Sequence, residues 1–141
     1  MGCIPKKINV SAATVGGTSI SAKGLRVLLV EDEVMIRLMV ADMLEELGHT
    51  VVAEAGHIDQ ALELAQSVEF DLAILDVNLN GKLITPLAEL VRSHERPIIF
   101  ATGYGSEGVP DQFRDFPALQ KPFQLEDLAT EIDKVLRSRD A

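Results

Sequence analysis

Short apolar runs alternate along this chain with stretches whose apolar positions recur every three or four residues. Leu25-Arg26-Val27-Leu28-Leu29-Val30, Thr50-Val51-Val52-Ala53, Leu72-Ala73-Ile74-Leu75 and Pro97-Ile98-Ile99-Phe100-Ala101-Thr102 are runs of strand length. The first, third and fourth are nearly continuous in apolar residues, which is the pattern of strands buried on both faces. Between them, Ile36, Val40, Met43, Leu44 and Leu47 form a helical stripe, followed by Gly48 where a helix C-cap glycine belongs. Ile58, Ala61, Leu62 and Ala65 form a second stripe, and Ile84, Leu87, Ala88 and Val91 a third. Leu125, Leu128, Ile132, Val135 and Leu136 form the last. Ala118 and Leu119 are enough for a brief fifth strand.

One stretch departs from the alternation. Between Thr102 and Lys121 stand Gly103, Gly105, Gly108, Pro110 and Pro117, with no apolar repeat of helical period. A fourth helix over this stretch is expected to be short, irregular or absent. Few large apolar anchors stand against the cost of ordering its backbone, about 1–2 kcal/mol per residue, so mobility is expected here. Strands alternating with helices predict βαβ units and an α/β fold. Five strands point to a flavodoxin-like doubly wound parallel sheet of order 2-1-3-4-5.

Length and composition narrow the function classes. At 141 residues the chain suits one domain, with enough length for a hydrophobic core. Residues 1–23, crowded with Ser, Thr and Gly and lacking a helical period, read as a flexible N-terminal tail, and residues 24–141 as the folded domain. A net charge of −9 without a basic stripe argues against nucleic acid. No apolar run nears the roughly 20 residues of a membrane helix, no signal peptide is visible, and the single cysteine, Cys3, makes no internal disulfide. A soluble, cytoplasmic protein is expected.

The chemistry collects at strand ends. In the 2-1-3-4-5 order, strands 1 and 3 are neighbours, so Glu31, Asp32 and Glu33 after strand 1 face the same crevice as Asp76 after strand 3. Crowded carboxylates repel one another, and a hard divalent cation such as Mg²⁺ relieves this with oxygen ligands. Glu31, Asp32 and Asp76 are the candidate ligands, while Glu33 suits the positive end of a helix dipole. Thr102 ends strand 4 and Lys121 ends strand 5, which brings a hydroxyl and a cation to the same rim.

Val30-Glu31-Asp32, Leu75-Asp76, Ala101-Thr102 and Lys121-Pro122-Phe123 together resemble the receiver domain of two-component response regulators, over residues 25–138. The resemblance implies that Asp76 is the phospho-acceptor and that Asp32 and Asp76 bind Mg²⁺ directly, with Glu31 acting through water. It implies that Asn78 lends its backbone carbonyl to the metal and that Lys121, joined to Pro122 by a cis bond, touches the phosphoryl group. Thr102 is the residue drawn to that group on activation. Typical receivers carry Tyr or Phe three residues before the lysine, where Ala118 stands here. Phe100-Ala101-Thr102-Gly103-Tyr104 resembles an atypical, single-domain subgroup with a Phe-Ala-Thr-Gly signature, which lacks a well-formed fourth helix and pairs with HWE-type histidine kinases. Tyr104 is then a candidate replacement for the missing switch aromatic.

The function implied is that of a monomeric phosphorelay protein. It takes a phosphoryl group from a histidine kinase, then signals to a downstream protein or acts as a phosphate sink. The chain would be no enzyme beyond its own phosphorylation and dephosphorylation. The alternative is a receiver-like interaction module that no longer takes phosphate. A haloacid-dehalogenase-type phosphatase is disfavoured, because that chemistry needs an Asp where Asn78 stands.

Overall fold

A computed structural model describes residues 24–103 and 108–140. The expectations for the tail and for Tyr104 lie outside these residues. Five strands form the main sheet: β1 (Arg26–Val30), β2 (Thr50–Ala55), β3 (Leu72–Asp76), β4 (Ile98–Thr102) and β5 (Ala118–Gln120). Their spatial order is β2-β1-β3-β4-β5 and every pairing is parallel. The flavodoxin-like expectation therefore holds, with β2 two residues longer than its apolar run.

Among the described residues four α-helices accompany the sheet: α1 (Val34–Glu46), α2 (Ile58–Ser67), α3 (Thr85–Ser93) and α4 (Leu125–Asp140). Their sequence stripes are the buried faces. Val40 and Leu44 of α1 pack with Leu128, Ile132 and Val135 of α4 and with Val27, Leu29 and Ile74 on one side of the sheet. Ala61 and Ala65 of α2 pack with Leu87, Ala88 and Val91 of α3 on the other. β3 and β4 have every residue buried, which explains why their sequences show no polar alternation. Each fully buried Leu or Ile contributes about 1.5–3 kcal/mol, so the three central strands, β1, β3 and β4, and their cover are the main source of stability. Gly48, at φ +92°, terminates α1, and its N–H bonds to the Glu45 carbonyl.

The crossover from β4 to β5 lacks a regular helix among the described residues. It carries a 3₁₀ turn at Asp111–Phe113. The segment is nevertheless well anchored where it is described. Val109 and Phe113 are fully buried, and Phe100, Phe113 and Phe116 form a three-ring cluster with centroids 5.2–6.1 Å apart. The sequence suggested too little apolar area because it counted few anchors. Two large rings docked on a third, in β4, compensate for their small number.

A two-stranded hairpin, Asn78–Leu79 with Lys82–Leu83, follows β3. Asn80 and Gly81 turn its corner, both at positive φ, as the Asn-Gly hairpin turn requires.

Candidate phospho-acceptor and metal site

Strand register assembles the site. Val30 pairs with Leu75, Asp76 with Ala101 and Thr102 with Gln120. Glu31, Asp76, Thr102 and Lys121 thus reach the carboxyl edge of the sheet within two residues of each other. Backbone bonds continue the alignment past the strands, from Glu31 N–H to the Ala55 carbonyl and from Lys121 N–H to the Thr102 carbonyl.

Glu31, Asp32 and Asp76 each bring a carboxylate oxygen within 4.8 Å of the others. Glu31 and Asp76 are buried, whereas Asp32 is half-buried. Lys121 Nζ lies 3.1 Å from Glu31 Oε1 and 3.3 Å from Asp76 Oδ2, bridging the two buried acids. The remaining oxygens accept backbone donors: Glu31 Oε2 from Glu33 N–H, Asp76 Oδ1 from Asn78 N–H and Asp32 Oδ2 from Asn80 N–H. Thr102 is fully buried at the end of β4. The Lys121–Pro122 peptide is cis. All the site residues proposed from sequence within the described region therefore converge on one edge.

The electrostatics are unbalanced. Burial pushes the Glu31 carboxyl up to about 7, and the neighbouring Asp76 charge pushes the same way, against the Glu33 N–H and Lys121. Burial also raises Asp76, opposed by the Asn78 N–H and Lys121, while Asp32 adds to the rise. For Lys121 burial acts downward, but Glu31 and Asp76 outweigh it and the net shift is upward. One lysine is shared by two buried acids with a third at their side, so positive charge is in short supply. An oxygen-rich, charge-deficient cluster with one solvent-facing member is suited to a hard divalent cation that keeps part of its water shell.

Sequence reasoning missed three contributors. Asn80 fixes Asp32 through its main chain, and its Asn-Gly turn was a readable hairpin signal. Arg37 and Gly56 meet beside Glu31, and no local pattern marks either one.

Comparison with known proteins agrees with this geometry. The family described as response regulator receiver domain matches residues 27–133. SdrG from Sphingomonas melonis Fr1, solved in solution, is 40% identical with a TM-score of 0.73, covering 82% of this chain and 98% of that one. The receiver domain of Erythrobacter litoralis PhyR is 28% identical, also with a TM-score of 0.73, over 82% of this chain and 92% of that one. The transcriptional regulatory protein PdtaR of Mycobacterium tuberculosis is 37% identical over 112 residues, 77% of this chain. The chain spans about half the length of PdtaR, 55%. The chain belongs to the response regulator receiver domain family.

Proposed function

We propose that this chain is a cytoplasmic phosphorelay protein that accepts a phosphoryl group on Asp76 from the phosphohistidine of a histidine kinase. The observation carrying this reading is the convergence of Asp76 with Lys121 at 3.3 Å and with Glu31 and Asp32 at the carboxyl edge of the sheet. In the transfer, an Asp76 carboxylate oxygen forms a bond to phosphorus as the phosphorus–nitrogen bond breaks and the imidazole leaves. Lys121 Nζ compensates charge on the phosphoryl oxygens, and the buried Thr102 supplies a hydroxyl at the adjacent strand end. Glu31, Asp32, Asp76 and the Asn78 carbonyl would hold Mg²⁺, with Glu31 acting through water. When bound, Mg²⁺ stabilises negative charge on the transferring group. Water then hydrolyses the acyl phosphate, so the chain's catalysis is confined to its own modification.

The donor's side of the contact has a suitable surface. Val34, Met35, Leu38 and Met39 of α1 are exposed, Met35 to 77%. Beside them Glu33, Ile36, Met39, Lys121, Pro122 and Phe123 line a groove that leads to the lysine. Apolar side chains around a phospho-acceptor favour a protein donor, such as a kinase of the HWE type, over a small phosphate ester. SdrG, similar in fold and sequence, has also been solved in a BeF3-activated conformation. That supports placing a phosphorylation-dependent change at the corresponding edge here, with output through a protein partner or as a phosphate sink.

Intact mass after incubation with acetyl phosphate and Mg²⁺ tests the reading. Wild-type protein should gain about 80 Da, one phosphoryl group, and Asp76→Asn should gain nothing. Equal labelling of both would reject Asp76 as acceptor. No labelling of either, with Mg²⁺ bound, would favour a receiver-like module that does not take phosphate.

A further inference from the structure

We propose that Arg37, admitted by Gly56, is a positioning residue for the metal-binding acids. The inference rests on the reading of Glu31, Asp32 and Asp76 as a Mg²⁺ site. The β1–β2 ladder ends with the bond from Glu31 N–H to the Ala55 carbonyl. Past that point the Glu31 carbonyl needs another donor, since a buried carbonyl without one is costly. Arg37 Nη1 provides it, at 2.7 Å. That carbonyl belongs to the peptide joining Glu31 to Asp32, so the bond fixes the plane from which both acids project.

The guanidinium is held from its other side by β2, where Nε lies 3.3 Å from Glu54 Oε1. This ion pair offsets the positive charge that Arg37 would otherwise turn toward an arriving cation. Gly56 makes the approach feasible. A Cβ at position 56 would stand 2.8 Å from Arg37 Nη1 and within ordinary contact, 3.7 Å, of the Glu31 oxygen. A methyl there evicts the guanidinium tip and little else. The Gly56 carbonyl also accepts the Asn80 side-chain amide at 3.4 Å, while the Asn80 N–H bonds to Asp32. Arg37 and Asn80 thus brace the two acids, Arg37 through the Glu31 carbonyl and Asn80 through the Asp32 carboxylate, both beside Gly56 in the turn that follows β2.

The sign of one measurement separates this role from simple electrostatics. If Arg37 acted only as a nearby cation, removing it would tighten Mg²⁺ binding. If it positions the acids, removing it weakens binding despite the lost repulsion. Mg²⁺ titration of the full chain, followed by calorimetry and NMR, should show Gly56→Ala and Arg37→Ala each weakening affinity about 10-fold, as loss of a partner outside the ligand shell commonly does. The double variant should be no weaker than Arg37→Ala, because Gly56→Ala has nothing left to displace. Arg37→Lys, which keeps a donor for the Glu31 carbonyl, should recover part of the loss. Thermal melts without metal confirm that the variants are folded, and Gly56→Ala carries the test where Arg37→Ala is not. Affinity unchanged or tightened in these variants, or additive losses in the double variant, would overturn the inference alone. A wild-type protein that binds no Mg²⁺ would overturn the metal-site reading and this inference with it.

Discussion

The crossovers from β3 to β4 and from β4 to β5 cover neighbouring parts of one sheet face by different means. The first uses α3, whose Leu87, Ala88 and Val91 are all fully buried, with the preceding Ile84. The second relies, in its described part, on the 3₁₀ turn at Asp111–Phe113 and on Val109, Phe113 and Phe116. A helix distributes its burial over several turns and satisfies its own backbone. The aromatic wedge concentrates burial in a few rings and leaves most of its main chain without a ladder. Both joints are packed, but the second depends on individual side chains, and it follows directly on Thr102. Chain held by few anchors beside the proposed phospho-acceptor is chain a local event can rearrange.

The largest test of this contrast is Phe113→Ala. It should cost about 3–5 kcal/mol in urea denaturation, since the ring is fully buried between Phe100 and Phe116. Leu87→Ala in α3 should cost about 2–5 kcal/mol. The two variants should differ in where the damage goes. Leu87→Ala should leave amide exchange patterns even across the sheet face, whereas Phe113→Ala should selectively expose residues 108–117. Uniform loss of protection in both variants would dissolve the distinction between distributed and concentrated packing.

In unmodified protein, amides of residues 108–117 should exchange at least about 10-fold faster than those of α3, a difference of roughly 1.4 kcal/mol in opening free energy. Few backbone bonds hold the segment, chiefly Phe113 N–H to the Pro110 carbonyl and Phe116 N–H to the Phe113 carbonyl. Phosphorylation at Asp76 should narrow the gap if Thr102 transmits the change. Equal exchange in the two segments would put the wedge on the same footing as a helix.

The two regions also differ in how far they could be read from the sequence. Strand order, the helix stripes and the convergence of Glu31, Asp32, Asp76, Thr102 and Lys121 were legible because periodicity and strand ends are local patterns, and the parallel topology does the rest. The lack of a regular helix after β4 among the described residues was legible from the glycines and prolines there. Its firm anchoring was not. That depends on Phe113 and Phe116 meeting Phe100 across the sheet, a contact no spacing rule encodes. Arg37 was hidden for the same reason, because its partners lie far apart in the chain, Glu31 just past β1 and Glu54 in β2.

A pH test separates the polar edge from the wedge, which has no titrating core. Glu31 has a folded pKa of about 7 against 4.5 unfolded, so its contribution is fully present below 4.5 and is lost as pH rises through 7. Asp76 shifts in the same direction. His49, half-buried and accepting the Leu25 N–H, is shifted down by its burial and adds stability as pH rises toward its ordinary 6.5. Above 6.5 the His49 contribution fades, and the falling slopes of Glu31 and Asp76 set the sign. Metal-free protein should therefore lose stability as pH rises from 6.5 through 7, and Glu31→Gln should flatten the curve. Saturating Mg²⁺ should flatten it as well, by stabilising the ionised acids. A metal-free melting temperature that rises over this interval would contradict the charge deficit assigned to the site.

The smallest effect lies where the two crossovers touch. Arg92, in the last turn of α3, places its guanidinium carbon 4.9 Å from the Phe113 ring centroid. A cation over an aromatic face at a partly exposed site contributes about 0.5–1 kcal/mol. Arg92→Met retains much of the apolar stem but lacks the charge, so it should cost an amount in that range. In a Phe113→Leu background the same change should cost close to nothing, because a leucine offers no ring face. The coupling measured by this cycle is the free energy with which the regular crossover steadies the irregular one. A cycle that closes with no coupling would mean that α3 and the wedge are independent neighbours, each held by the sheet alone. A coupling well above 1 kcal/mol would instead make them one cooperative unit and undo the contrast between them.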